Sequence, residues 1–243
     1  MMAASLDNQT YYDEFSGWYE RGRERGYHAL IDRLELEVAL PLAEGRKVLE
    51  AGCGTGLILQ ALRETAAHAV GADLSAGMLR GSVDKGLDIA QADLTRLPFP
   101  DDTFDFVCSF KVLAHVPPIQ EAIAELVRVT RPGGKLALEF YNPWSLRYLM
   151  KRVRPGRISA TVKEDAVFTR WDSVGQVVDM APPGVTVECV HGVRVFTPFA
   201  QMHRVPLLGS ALGLMERWAL RSPLRWFGGF VIVVTVAFAA PFL

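Results

Sequence analysis

The sequence predicts an α/β fold with a mostly parallel sheet of seven strands and helices on both of its faces. Three observations predict it. Short apolar runs alternate with amphipathic stretches from Lys47 to Asn142, the pattern of strand–helix–strand units. The first of these runs leads into a glycine-rich turn, "VLEAGCGTGL" at 48–57. The chain has 243 residues, half of them hydrophobic, enough to bury one full core.

Taken in order, the elements begin with a helix. Tyr11, Tyr12, Phe15, Trp18 and Tyr19 follow the i, i+1, i+4, i+7, i+8 spacing of one helix face. That face either packs on the body of the domain or turns its rings to a ligand as a lid, and one helix can do both. A second helix, His28 to Leu40, is expected to stop at Pro41. "KVLEAG" is a short buried strand, and the helix after Gly56 carries Leu57, Leu59, Ala61 and Leu62. "HAVGADL" is a second strand, and "SAGMLRGSV" a helix capped by Ser75. "LDIAQADL" and "TFDFVCSF" are the third and fourth strands. "PIQEAIAELVRVT" is amphipathic and stops at "RPGG", and "KLALEFYN" is the fifth strand.

From 143 to about 183 the rhythm breaks. Between Trp144 and Lys163 there are six basic residues and no acidic ones. The basic stretch 147–163 is either a solvated face or a site for an anionic group on a ligand. A short helix is expected around Trp171 to Met180. A sixth strand then follows in "VTVECVHGVRVF", a helix at 199–221 and a seventh strand at 230–238. Phe227 to Leu243 carries no charge, and Arg217, Arg221 and Arg225 precede it. The run is shorter than the roughly 20 residues that span a bilayer. It also contains Gly228, Gly229 and Pro241 around the β-branched "FVIVVTVAF". A buried strand is therefore expected in place of a membrane anchor.

A net charge of −1 gives no general attraction to nucleic acid. The three cysteines, Cys53, Cys108 and Cys189, are odd in number and far apart, two of them in apolar runs. They read as free thiols in a reducing, cytoplasmic compartment. The polar N-terminus has no signal-peptide pattern, and the scattered histidines suggest no metal site.

Candidate ligand-binding residues cluster at strand ends. Gly52, Gly54 and Gly56 are spaced by two, so G-x-G-x-x-G fails: its third glycine would fall at Leu57. A nicotinamide-dependent oxidoreductase is thereby weakened as the alternative reading. Asp73, 17 residues after Gly56, can accept from both hydroxyls of a ribose. Asp93, taken to end the third strand, can accept from an exocyclic amine. Either acid could instead serve as a helix cap or turn residue. Together with Glu50 they give acids at the ends of three successive strands.

"VLEAGCGTG", "GADLSAGML", "QADLTRLPF", "FDFVCSFKVLAHV" and "RPGG" resemble the successive motifs of class I S-adenosylmethionine-dependent methyltransferases. The branch they resemble includes the ubiquinone and menaquinone biosynthesis enzymes, and the resemblance covers roughly 11–141. It implies a Rossmann-like fold and S-adenosylmethionine as cofactor. An N-terminal helical lid over the site and an insertion after the fifth strand complete the expected architecture. The single methyltransferase domain would comprise N-terminal helices (1–43), a cofactor-binding core (44–141), an insertion capping the substrate (142–183) and sheet-completing elements (184–243).

The resemblance also implies roles. Gly52, Cys53, Gly54 and Gly56 would pass along the methionine portion, with Glu50 near its amino end. Asp73 would hold the ribose, while Leu74 and Met78 would pack near the adenine. Asp93 would take its amine beside Leu94. Phe110 and Lys111 would form the floor near the sulfonium, Lys111 through its backbone, because an ammonium there is unfavourable. His115 is the candidate general base, or else a histidine that orders its loop. Tyr11, Tyr12, Tyr19, His115 and Tyr141 are the candidate acceptor contacts. The expected partner is a small, apolar or aromatic methyl acceptor, with membrane association the less favoured alternative. A cofactor-binding module without transfer activity is the other reading.

Overall fold

In the computed structural model, residues 8–23, 25–153 and 168–238 are described. Among them one seven-stranded sheet runs in the order β3-β2-β1-β4-β5-β7-β6. The strands are β1 (Lys47–Ala51), β2 (His68–Asp73), β3 (Asp88–Gln91), β4 (Phe104–Ser109), β5 (Thr130–Tyr141), β6 (Val185–Val193) and β7 (Phe230–Ala237). Only β7 runs antiparallel, pairing Leu138 with Val233 on one side and Val190 with Val233 on the other. The chain reverses its direction of winding between β1 and β4, which are neighbours. Ligands in open α/β sheets bind beyond the carboxyl ends of the strands at such a point.

Both faces of the sheet are covered, so the central strands are apolar throughout and their side chains divide between two cores. Val48, Phe106, Ile232 and Val234 join one core, with Leu34 and Val38 of helix α2 (Gly26–Ala43) and Leu59 of α3 (Leu57–Arg63). Leu49, Val107, Val231 and Val233 join the other, with Ile123 and Leu126 of α5 (Ile119–Arg128). The period of two therefore selects the layer, not inside against outside.

Helix α1 (Asn8–Tyr19) lies across α4 (Ala76–Asp84), forming the N-terminal lid. Asp13 fixes it: its Oδ1 accepts from the Gly77 N–H at 2.8 Å and the Ser75 hydroxyl at 2.5 Å. Ser75 is the expected N-cap, accepting from the Met78 N–H.

Some boundaries differ from expectation. The second helix does not stop at Pro41 but runs to Ala43. Proline cannot donate back to the carbonyl of Glu37, and the Arg221 guanidinium donates to that oxygen at 3.4 Å instead. The third strand ends at Gln91, so Asp93 lies in the turn beyond it. The "RPGG" that stops α5 is already part of β5, whose pairing with β4 shifts register between Phe104 and Phe106.

Among its described residues the insertion holds two helices, α6 (Leu146–Val153), which was not expected, and α7 (Val174–Asp179), which was. Ser173 and Gln176 form a capping box at the start of α7. Of the basic stretch 147–163, residues 154–163 lie outside the described residues. The predicted 199–221 helix is a 3-10 turn at Ala200–Arg204 followed by α8 (Pro206–Ala219). Residues 230–237 form the buried strand β7; 239–243 lie outside the described residues. Cys53 and Cys108 are buried free thiols, and Cys189 is exposed.

Candidate active site

The turn after β1 adopts a backbone that side chains resist. Gly52, Gly54 and Gly56 have φ of 81°, 55° and 79°, values at which a Cβ is strained. At Gly52 a Cβ would also lie 2.2 Å from Val112, and at Gly56 it would lie 2.3 Å from Leu87. Backbone conformation and packing both require glycine here.

The turn does not offer a nest of free donors. The Gly52 and Cys53 N–H groups donate to the Ala72 carbonyl, Gly56 to that of Cys53, and Gly54 to Asp73 Oδ2 at 2.8 Å. Carboxylates face the turn. Asp73 ends β2, accepts from Gly54 on one oxygen and takes the Ser75 N–H at 2.8 Å on the other. Burial raises its pKa, against the lowering effect of those backbone donors. Glu50 is buried, and its Oε2 has no hydrogen-bond partner. Burial lifts its carboxyl well above the usual range, opposed by Lys111.

A polar cavity opens between the turn, the end of α1 and the floor at Phe110 and Lys111. Lys111 adopts φ 62°, and its ammonium pairs with Asp32 at 2.7 Å and Glu35 at 2.8 Å. Its backbone N–H donates to Glu139 at 3.2 Å, and Arg23 also holds Asp32 at 2.8 Å. Burial works against the Lys111 charge, but the facing carboxylates win and its pKa is raised. Glu139 and Glu35, both fully buried, are raised by desolvation. Asp32 is pushed up by burial but held below the usual range by Lys111 and Arg23.

Other predicted residues follow β2 and β3. Met78 is buried at the start of α4, its Cε 3.2 Å from where a Gly54 Cβ would stand. Leu74 is half-buried and Leu94 buried, on the turns after β2 and β3. Asp93 is exposed, and its Oδ1 takes both the N–H and the hydroxyl of Thr95 at 2.8 Å. It is a turn residue as well as a candidate ligand group.

The acceptor candidates divide. Tyr12, His115 and Tyr141 meet: the His115 ring is 6.2 Å from Tyr12 and 5.5 Å from Tyr141, edge-on to both. Tyr11 lies behind Tyr12 and stacks on Phe15. Tyr19 lies apart from them, lining the polar cavity beside Lys111 and Arg23. His115 Nδ1 is 2.9 Å from the Phe168 carbonyl. A carbonyl only accepts, so Nδ1 carries the proton and Nε2 is left basic. That Nε2 faces the Tyr141 hydroxyl at 3.4 Å. Burial pushes the Tyr141 hydroxyl up to about 12 and raises Tyr12 well above its usual value.

Sequence reasoning missed Asp13, Glu35, Glu139, Arg147 and Trp171. Arg147 packs over the rings of Tyr141, Trp171 and Phe230 at 4.4, 4.9 and 4.7 Å. Glu139 had a legible signal, an acid inside the apolar strand "LALEFY". Asp13 and Glu35 read as ordinary helix polar positions until the tertiary fold brings them to their partners. Among the described residues no group of His, Cys, Asp and Glu is placed to hold a metal ion.

Residues 49–138 match a family described as a methyltransferase domain. The demethylmenaquinone methyltransferase of Corynebacterium urealyticum is 38% identical over 144 residues, 59% of this chain and 58% of that protein. The chain thus matches little more than half the length of that relative. Among solved structures, a Thermotoga maritima protein described as a possible histamine N-methyltransferase superposes with a TM-score of 0.68 at 18% identity, covering 94% of this chain and 99% of the other. The [4+2]-cyclase SpnF superposes with a TM-score of 0.65 at 18% identity, covering 97% of each chain. At these identities the structural likenesses establish the fold.

Proposed function

We propose that this chain, whose residues 49–138 match a methyltransferase-domain family, is an S-adenosylmethionine-dependent methyltransferase for a small, apolar aromatic acceptor. The observation that carries this reading is the pair of carboxylates at the glycine turn. Glu50 leaves a buried oxygen without a donor, Asp73 lies beside it, and four turn N–H groups already have partners within the protein. A pyrophosphate would meet negative charge there and few free donors, which disfavours a dinucleotide. A ligand with an ammonium, a ribose and no phosphate fits.

When bound, S-adenosylmethionine supplies a methyl group on a sulfonium, already activated toward in-line displacement. The protein then has to hold, align and exclude water. Glu50 accepts from the ammonium, and Gly52, Cys53, Gly54 and Gly56 pass along the methionine portion. Asp73 takes the ribose hydroxyls. Leu74, Met78 and Leu94 pack on the adenine, with Asp93 at its amine. Phe110 and the Lys111 backbone form the floor. The ion pairs of Lys111 with Asp32 and Glu35 keep its ammonium away from the sulfonium.

Tyr12, His115 and Tyr141 receive the acceptor, with Tyr11 supporting Tyr12. Tyr19 we assign to the cofactor side. His115 Nε2 is the base for an acceptor that must lose a proton, held in the right tautomer by the Phe168 carbonyl. The insertion 142–183 caps this chamber, 1–43 supplies the lid, 44–141 holds the cofactor, and 184–243 completes the sheet. Since a relative is named demethylmenaquinone methyltransferase, we take a reduced quinone with an apolar tail as the acceptor class, met in the cytoplasm or at a membrane surface. A second reading is cofactor binding without methyl transfer.

The test is incubation of the purified protein with methyl-labelled S-adenosylmethionine and a panel of reduced naphthoquinones and phenols. Label in the organic phase, matched by release of S-adenosylhomocysteine, is the expected result. Tight cofactor binding with no label transferred to any acceptor supports the second reading.

A further inference from the structure

We infer that the outer face of α8 docks this protein on an anionic lipid surface. The proposal needs no methyl transfer and stands on α8 and the turn that follows it, not on the strand β7.

Helix α8 is amphipathic with its apolar side outward. Leu207, Leu208, Ala211, Leu214, Met215 and Trp218 follow the i, i+1, i+4, i+7, i+8, i+11 spacing of one stripe, and all six are exposed. Leu207 is 88% exposed, Leu214 72% and Trp218 62%. The inward side is fixed by Leu212, Glu216 and Ala219, all buried. Glu216 locks the rotation of the helix: its carboxylate accepts from the Val195 N–H at 2.7 Å and the Phe196 N–H at 2.9 Å. Turning the stripe inward would break both bonds and leave the Val195 and Phe196 N–H groups without their acceptor. The protein therefore holds a continuous apolar ridge in water, which is a mark of an interaction surface.

Charge identifies the occupant. From residue 190 to the C-terminus the chain has five arginines and one acid, and that acid is the buried Glu216. Arg217 and Arg221 flank Trp218, and Arg225 stands over Trp226 at 5.4 Å. Glu37 of α2 pairs with Arg217 at 2.8 Å, and Glu188 of β6 pairs with Lys135 at 2.7 Å, so Arg221 and Arg225 leave the local charge positive. Trp226 and Phe227, both exposed, extend the ridge from the end of α8. Apolar stripe, tryptophans at its end and arginines beside it are what an interfacial helix presents to anionic headgroups. A two-fold contact between copies would instead set arginines against arginines. Among the described residues no helix is long and apolar enough to cross a membrane, so the attachment is to the surface.

The site geometry agrees. Asn142, which follows Tyr141 at the end of β5, donates to the Trp226 carbonyl at 2.8 Å. The lipid-facing ridge therefore adjoins the aromatic chamber, on the side where an acceptor with an apolar tail would arrive.

The test is sedimentation of the intact protein with vesicles of phosphatidylcholine alone and of phosphatidylcholine mixed with phosphatidylglycerol. Wild type is expected to pellet with the anionic vesicles and to be released at about 1 M salt, where the screening length falls to about 3 Å. The triple variant Leu207→Gln, Leu214→Gln, Trp218→Gln should bind them roughly tenfold or more weakly. Its circular dichroism, melting point and S-adenosylmethionine affinity should match wild type, which keeps folding and the cofactor reading separate from this one. Wild type that stays in the supernatant, or a folded variant that binds equally well, overturns the proposal. So does a wild-type dimer that ignores lipid and falls to monomer in the variant.

Discussion

Replacing Asp73 with Ala removes the acceptor proposed for two ribose hydroxyls and also the anchor of the Gly54 and Ser75 N–H groups. Cofactor affinity should fall by about 2–4 kcal/mol, read by calorimetry; an unchanged dissociation constant removes Asp73 from the ribose. Glu50 makes a pH prediction. Burial raises its folded pKa, so between the unfolded value, about 4.3, and the raised one the folded chain holds a proton that the unfolded chain has lost. Its contribution to stability is present at low pH and lost as pH rises through that window. Glu50→Gln should therefore melt higher than wild type at about pH 8, match it near pH 4, and bind the cofactor more weakly. A lower melting point at the higher pH would mean that the carboxylate has a partner stabilising its charge. His115→Ala should cut kcat by about 10²–10⁴-fold on a hydroxyl acceptor with little change in cofactor affinity. Turnover that survives the substitution with its acid limb unmoved leaves His115 as the group that orders the Phe168 segment. The places of Glu50 and Asp73 at the ends of β1 and β2 were legible in the sequence, because each acid follows an apolar run into a turn. The ring of Glu35, Glu139 and Asp32 around Lys111 was not, because its members come from α2, β5 and the turn after β4.

The strands were legible where an apolar run is bounded by turn residues, and β7 is the clearest instance. Every residue from Phe230 to Thr235 is buried, and the strand pairs along its length with β5 and β6. Each buried Val or Ile there contributes about 1.5–3 kcal/mol, and removal of β7 would also leave β5 without a neighbour and detach β6. Deletion of 228–243 should yield insoluble or unfolded protein by circular dichroism and gel filtration; a folded, soluble truncation would refute the structural role of β7. Pro41 misled for a physical reason: the lost helix bond is replaced from outside by Arg221, a partner that no local rule can see. Asp93 was placed on a strand because "AQAD" continues the pattern, but β3 pairs only as far as Gln91. Helix α6 carried a legible stripe, Leu146, Leu149, Met150 and Val153 at i, i+3, i+4 and i+7, which the basic residues beside it drew attention from; none of its residues is buried.

At the scale of the molecule, alternation of strand and helix predicted a parallel sheet, and the glycine turn located its ligand end. The strand order and the antiparallel β7 came from the structure. The proposed acceptor side was legible in part, through the aromatic face of α1, His115 and Tyr141; that α1, the turn after β4 and the end of β5 bring Tyr12, His115 and Tyr141 together came from the structure. The outward apolar face of α8 likewise looked like an ordinary helix stripe until Glu216 showed which side was in. The central claim is that the glycine turn, flanked by Glu50 and Asp73, holds S-adenosylmethionine. Its most direct measurement is calorimetric titration of the purified chain with S-adenosylmethionine and, separately, with NAD⁺ and NADP⁺. One-to-one binding of S-adenosylmethionine, with no heat from either dinucleotide, is the predicted result; saturable binding of a dinucleotide with none of S-adenosylmethionine would contradict it.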